Sequence, residues 1–168
     1  MTTHDLHIVT GAAGVGKSTF GKHLAIEHAA ALLDSDTVTE PVVRAGLAAA
    51  RMPPTDRDSA EYKRIFRDPV YECLFNTAAD NLSHVSVVIV GPFTRELEDA
   101  AWPDRLRSRF GIQPTIWYLT CDDEERRRRI ETRGNPRDRA KLIDWSGHVA
   151  NAPPTEPAFE VKYVDTTS

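Results

Sequence analysis

Thiols are scarce in this sequence: two cysteines, Cys73 and Cys121, stand far apart among 168 residues. Without paired, metal-ligand spacing they exclude a disulfide-stapled scaffold and a cysteine-built zinc site, and they are expected as reduced, buried thiols. The six histidines, His4, His7, His23, His28, His84 and His148, form neither a His-x-x-x-His pair nor a Cys/His cluster along the chain, so zinc is not expected. No apolar run approaches the roughly eighteen residues a membrane helix needs, and the chain opens on neither a basic leader nor a long apolar segment. The expectation is a soluble, cytoplasmic protein with no membrane partner. Excess charge of one sign is also missing. The net charge of −4 gives no field that would gather nucleic acid or anionic lipid, so long polyanions are disfavoured as partners, short of a local basic groove. There are no internal repeats and no low-complexity tract, and the length suits one domain, residues 1–168, with a real core. Nothing in the sequence speaks to the oligomeric state.

Against these absences stands one dense motif. Residues Gly11 to Thr19 read G-A-A-G-V-G-K-S-T, a complete G-x-x-x-x-G-K-[ST] phosphate loop, directly after the apolar run Leu6-His7-Ile8-Val9. Such a loop turns successive backbone N–H groups, here from Gly11, Ala13, Gly14, Val15, Gly16 and Thr19 among others, toward a polyphosphate. Lys17 places a point charge on the outer phosphates, and the Ser18 hydroxyl is left for a magnesium ion. No Asn-Lys-x-Asp or Thr-Lys-x-Asp sequence of the kind that reads guanine is present, which makes ATP with Mg2+ the expected cofactor pair.

Apolar runs bounded by breakers fall at Leu6–Thr10, Ala31–Leu33, Val85–Val90, Thr115–Thr120 and Val161–Val164, with helical patterns between them, the signature of a parallel α/β sheet. Helices are expected from the loop to about His28, from Thr39 to about Ala50, and as two pieces, Asp58–Phe66 and Pro69–Asn81, broken at Asp68-Pro69. About residues 39–83 thus form a helical stretch in which a phosphotransferase can place its acceptor pocket. A plain packing layer is the alternative. The last residues, Asp165-Thr166-Thr167-Ser168, follow the final strand, either near a nucleotide base or as a frayed terminus.

Three further segments can carry chemistry. The second strand ends in Asp34-Ser35-Asp36, and in an extended segment both carboxylates would face the same cleft. One can act on magnesium while the other accepts a proton from an attacking hydroxyl. The structural alternative has Asp34 ending the strand and Asp36 capping the next helix. The third strand runs into Gly91-Pro92-Phe93-Thr94 and lacks the aspartate on which motor and switch hydrolases lean. Pro92, Phe93 and Thr94 can line an acceptor pocket with an aromatic wall and a hydroxyl, or Thr94 can simply cap a helix. In Asp122 to Gly134 acids precede bases, and Asp122, Asp123, Glu124 and Glu125 each have an arginine four residues on, a pattern that stabilises an exposed helix without any function. Arg126, Arg129 and Arg133 nevertheless share a face, where a bound polyphosphate would relieve like-charge repulsion. Arg129, Arg133 and Arg137 are therefore read as a lid over residues 126–140, with Arg127 and Arg128 as solvated surface.

The phosphate loop, the Asp-x-Asp strand end and the Arg-x-x-x-Arg-Gly segment together resemble the small P-loop kinases of the shikimate-kinase and nucleoside-monophosphate-kinase type. Arg133-Gly134-Asn135-Pro136-Arg137-Asp138 and the chain length resemble, more narrowly, the AAA-33 group of small P-loop kinases. The resemblance implies a three-layer P-loop NTPase fold: a five-stranded parallel sheet of order 2-3-1-4-5, helices on both faces, a helical substrate region after strand two and a mobile arginine lid. It implies Lys17 on phosphate, Ser18 at the metal, Asp36 as the carboxylate that activates the acceptor hydroxyl, Arg129 or Arg133 on the nucleotide, and Arg137 in the lid, while Asp34 joins Ser18 at the metal on the reading of the strand end alone. Gly91 departs from the acidic strand-three pattern. The function expected is Mg-ATP-dependent transfer of the γ-phosphoryl group to a hydroxyl of a small polar molecule. Arg44, Arg64 and Arg67 would meet an anionic acceptor, unless they are ordinary surface arginines. A polynucleotide or toxin-like kinase, and a slowly hydrolysing nucleotide-regulated binding module, are the competing readings.

Overall fold

Apolar residues, many of them with branched β-carbons, concentrate in short runs from which the strands form. The computed structural model describes residues 4–167. The strands are β1 (Leu6–Gly11), β2 (Ala31–Asp34), β3 (Val87–Val90), β4 (Thr115–Thr120) and β5 (Lys162–Asp165). They pair in parallel in the order β2-β3-β1-β4-β5, with Ile8 opposite Ile89 on one side and Ile116 on the other. The central strands β1 and β3 are buried along their whole length, as a parallel sheet covered on both faces requires.

The helices are α1 (Lys17–Glu27), α2 (Ser35–Ala49), α3 (Ala60–Asn81), α4 (Thr94–Leu97), α5 (Trp102–Phe110), α6 (Asp123–Arg133), α7 (Arg139–Ile143) and α8 (Trp145–Asn151), with a 3-10 turn at Pro136–Asp138. Alternation along the strands divides the core. Leu6, Ile8, Val87 and Ile89 pack against Leu74, Phe75 and Ala78 of α3 and Trp102 and Leu106 of α5. Val9, Val88 and Val90 pack against Leu24 and Ala25 of α1 on the other face. The α1 contact is close because residue 21 is glycine: a Cβ there would come within 2.5 Å of the Val90 side chain.

Two helical expectations are corrected. Pro69 does not divide the segment, and α3 runs unbroken over Ala60–Asn81. Asp68 and Pro69 are both exposed, so the missing hydrogen bond falls on the solvent side, while Tyr71, Leu74, Phe75 and Ala78 hold the inner face. α2 begins at Ser35 rather than Thr39 and carries Pro41 within it. The thiols also differ from expectation: Cys73 is exposed on α3 and Cys121 is half-buried. No helix is long and apolar enough to cross a membrane among the described residues.

Candidate active site

All five strands point their carboxyl ends toward one edge, and the chemistry-bearing residues collect there, as open parallel sheets dictate. β1 ends at Gly11, whose φ of +141° suits glycine and whose Cβ, if present, would lie 2.5 Å from the Leu119 carbonyl oxygen. Gly14 and Gly16 also take positive φ, at +83° and +89°, and curl the backbone into a nest of N–H groups capped by the N-terminus of α1. The Lys17 ammonium donates to the Gly11 and Ala12 carbonyls, each at 2.8 Å, within the loop it serves. Burial, only partly offset by the negative Asp36, lowers its pKa from 10.5 to about 8.

Ser18 Oγ donates to Asp34 Oδ2 at 2.5 Å, and Asp34 Oδ1 accepts from the Asp36 backbone N–H at 3.0 Å. Asp34 therefore caps α2 and faces the phosphate loop at once. The cap expected of Asp36 thus falls to Asp34, whose two carboxylate oxygens divide the capping and the loop-facing roles. Asp36 stands in the first turn of α2, so helical geometry and not an extended strand end presents it to the cleft. Arg137 forms a two-nitrogen ion pair with the Asp36 carboxylate, with Glu40 3.8 Å from the same guanidinium. Burial pushes the Asp36 carboxyl up, but the Arg137 hydrogen bond and charge, with Lys17 and Arg133, outweigh it and hold the pKa below its ordinary value. Asp36, Thr37, Glu40, Pro41, Asn135 and Arg137 line an open cleft of about 360 Å3.

The arginine segment is organised differently from the expected ladder. Of the four anticipated i,i+4 pairs, Glu125 with Arg129 forms, at 2.7 Å; Arg127 pairs forward with Glu131, and Arg128 pairs with Glu125 at i,i+3. Arg126 departs most. Far from sharing an open face with Arg129 and Arg133, it is 2% exposed, donates to the Ala13 carbonyl at 2.9 Å, pairs with Asp123, and lies under the Trp145 ring. It ties α6 to the phosphate loop, a role missed because four consecutive arginines give no phase. Arg129 donates to Thr166 through two nitrogens and would lie 3.4 Å from a Cβ on Gly16. Thr166 Oγ1 donates to the Val15 carbonyl at 2.7 Å, so Thr166 after β5 is fastened against the loop and not frayed, while Ser168 lies outside the described residues. Arg133 pairs at 2.6 Å with Asp138, which is 1% exposed.

The expected acceptor residues separate. Arg67 donates to Thr94 Oγ1 at 2.7 Å and has no carboxylate partner among the described residues. Pro92 is exposed, and its carbonyl accepts from Thr10 Oγ1 at 2.8 Å. Phe93 cannot form an aromatic wall. It is fully buried at φ +42°, packed on Tyr71, Phe75 and Trp102, with its N–H donated to the Tyr71 hydroxyl. It, not Thr94, is the N-cap of α4, and Thr94 is the first helical residue, without a capping side-chain bond. Arg64 is exposed and spent on Glu61 of its own helix, while Arg44 is exposed with no ion pair among the described residues. Unforeseen at the cleft is Arg57, which pairs with Glu40 at 2.8 Å and stacks over Tyr62.

A phosphate loop on a 2-3-1-4-5 parallel sheet, with a carboxylate after β2 and arginines after β4, defines the small P-loop kinase class of fold. The sequence matches the AAA domain family AAA_33 over residues 6–147, and the chain belongs to that family. No curated protein matches it. Among solved structures it is similar to a protein from Chloroflexus aurantiacus provisionally described as a kinase, with 24% identity, a TM-score of 0.68, and coverage of 99% of this chain and 87% of the other. A gluconokinase from Sinorhizobium meliloti gives 16%, 0.62, 100% and 86%, and a sugar kinase from Janibacter 19%, 0.60, 97% and 86%. At such identities the likeness is one of fold.

Proposed function

We propose that the protein is an ATP-dependent phosphotransferase that phosphorylates a hydroxyl of a small polar molecule. The observation that carries this reading is the placement of Asp36, which lines an open cleft, is backed by Arg137, and stands next to Asp34 and the Lys17 charge. The resemblance in fold to gluconokinase and a sugar kinase supports it.

In-line phosphoryl transfer asks a protein mainly for positioning and charge neutralisation. The loop N–H groups and Lys17 hold the phosphates, and Arg129 and Arg133 approach from α6. Ser18 and Asp34 offer two hard oxygen donors 2.5 Å apart, a set that suits magnesium, which keeps most of its waters and takes few protein ligands. Ser18 and Asp34 would hold such an ion, and the chemistry it would supply is neutralisation of phosphate charge. Asp36, kept ionised, orients the acceptor hydroxyl and accepts its proton. Residues 39–83, through Glu40 and Pro41, supply the acceptor side of the cleft, and residues 126–140 the arginine lid. A cleft of about 360 Å3 has room for a monosaccharide-sized acceptor.

The test is phosphorus NMR of ATP with a panel of polyols, sugar acids and amino alcohols. A new phosphomonoester resonance that appears only with protein and one acceptor class is the expected result. Asp36→Asn should lower turnover by about 10²–10⁴-fold with ATP affinity nearly unchanged. Slow ATP loss with no phosphorylated product from any acceptor would instead identify a nucleotide-regulated binding module.

A further inference from the structure

At the edge of the sheet opposite the phosphate loop, the residue preceding β1 and the residue following α1 meet. Asp5, His7 and His28 each place one ligand-type atom, a carboxylate oxygen or an imidazole nitrogen, within 4.8 Å of the others. The two imidazole centres are 4.4 Å apart with their planes at 53°. Asp5 is held by its backbone, which donates to Ser86 Oγ and accepts from the Val87 N–H, so its carboxylate is stationed at the strand entrance. His7 is 4% exposed, and its two nitrogens differ: Nδ1 accepts from the Trp117 indole at 3.3 Å, whereas Nε2 is buried with no hydrogen-bond partner among the described residues. A buried polar atom left unpaired demands an explanation, and a missing ligand supplies one.

We propose that Asp5, His7 and His28 form a binding site for a divalent transition-metal ion of the zinc or nickel kind. Two imidazole nitrogens with one carboxylate oxygen make a donor set that suits such ions, whereas magnesium takes oxygen ligands. Tetrahedral ligands at about 2.0–2.1 Å from a metal lie roughly 3.3 Å from one another, so the three groups must close by an ångström or so. His28 and Asp5 sit at the ends of their elements and can rotate inward, while His7 is fixed on β1. Glu27, beside His28, adds negative charge to the surroundings, and Lys162, across the Trp117 ring at 4.7 Å, adds positive charge.

Trp117 sets a condition on binding. Its indole is a donor only, so in the free protein His7 Nδ1 is unprotonated and the ring proton resides on Nε2. A metal taken by Nε2 moves that proton to Nδ1, and one taken by Nδ1 displaces the indole directly. Either route breaks the Trp117 bond, which makes the tryptophan both a competitor and a reporter. The bound ion would clasp β1 to α1, the two elements that flank the phosphate loop, from the far side.

The experiment is calorimetry of the untagged full chain with zinc chloride and nickel chloride, in millimolar magnesium so that the Ser18–Asp34 oxygens are occupied. Saturable binding with one ion per chain, a raised Tm and a change in tryptophan emission are expected. His28→Ala and Asp5→Asn should each weaken zinc binding about 10–100-fold, while ATP affinity stays at the wild-type value and shows that both variants are folded. Trp117→Phe, which removes the competing indole, should bind zinc more tightly and lose the emission change. No saturable binding by the wild type, or equal zinc affinity in wild type and His28→Ala, overturns the proposal.

Discussion

At the scale of single residues, Lys17 carries the clearest consequence for nucleotide binding. Its folded pKa is about 8, against 10.5 as the ordinary value, because burial penalises the ammonium more than Asp36 supports it. For a base with a lowered pKa the charged form is the disfavoured one in the folded protein. The burden on stability is therefore full below pH 8 and lifts as pH rises from 8 toward 10.5. Polyphosphate selects the charged form, so ATP affinity should be constant below pH 7 or so and fall as pH passes through about 8. At pH 8 binding should take up roughly half a proton, measurable by calorimetry in buffers of different ionisation enthalpy. Lys17→Arg, charged throughout, should flatten the profile whatever its absolute affinity. A wild-type profile level to pH 9.5 would contradict the assignment.

At the scale of elements, two of the arginines that hold the segment after β4 to the rest of the fold have different tasks. Arg126, 2% exposed, joins α6 to the Ala13 carbonyl and to Asp123. Arg126→Ala leaves that carbonyl and that carboxylate without their donor, which should lower stability by about 1–3 kcal/mol in urea unfolding and weaken ATP binding through the loosened loop. Arg137 spans from the 3-10 turn to Asp36 on α2. Its removal should let the Asp36 pKa rise, since the guanidinium's hydrogen bond and charge do most to hold that carboxyl down. In Arg137→Ala the acid limb of the kcat/KM profile should accordingly move to higher pH, with turnover reduced, while Arg129→Ala should act on ATP affinity instead. An acid limb that stays in place would detach Arg137 from Asp36 in solution. These ties also mark how far the sequence could be read. The loop, the strand-end acids and the strand order follow from local spacing and from the resemblance. The inward turn of Arg126, the closure of Phe93 into the Tyr71–Trp102 core and the continuity of α3 through Pro69 were decided by tertiary packing, which no local pattern contains.

At the scale of the whole molecule, one sheet gathers contributions from distant parts of the chain at each of its two edges. Asp5, His7 and His28 are brought together by the return of α1 along β1, and Thr166 reaches Val15 across the length of the chain. Separation in sequence hid the first, since the histidines lack metal-ligand spacing, and left the terminal segment with two readings, beside the nucleotide or frayed, between which only the Thr166 contact decides. The phosphate edge is closed by contacts that converge on the loop, from Thr166 on Val15, Arg126 on Ala13 and Arg129 beside Gly16. Nucleotide binding at that edge should therefore protect residues that are far apart in sequence. With ATP analogue at about 100 times its Kd, linkage gives about 2.7 kcal/mol of added stability, a rise of roughly 5–10 °C in Tm for a chain of this size. Hydrogen exchange should slow in the loop, in α6 and around Thr166 together, and remain unchanged in α5, which packs on the opposite face of the sheet. Protection confined to residues 11–19 would mean that the segment after β4 and the chain's last strand do not respond to the nucleotide.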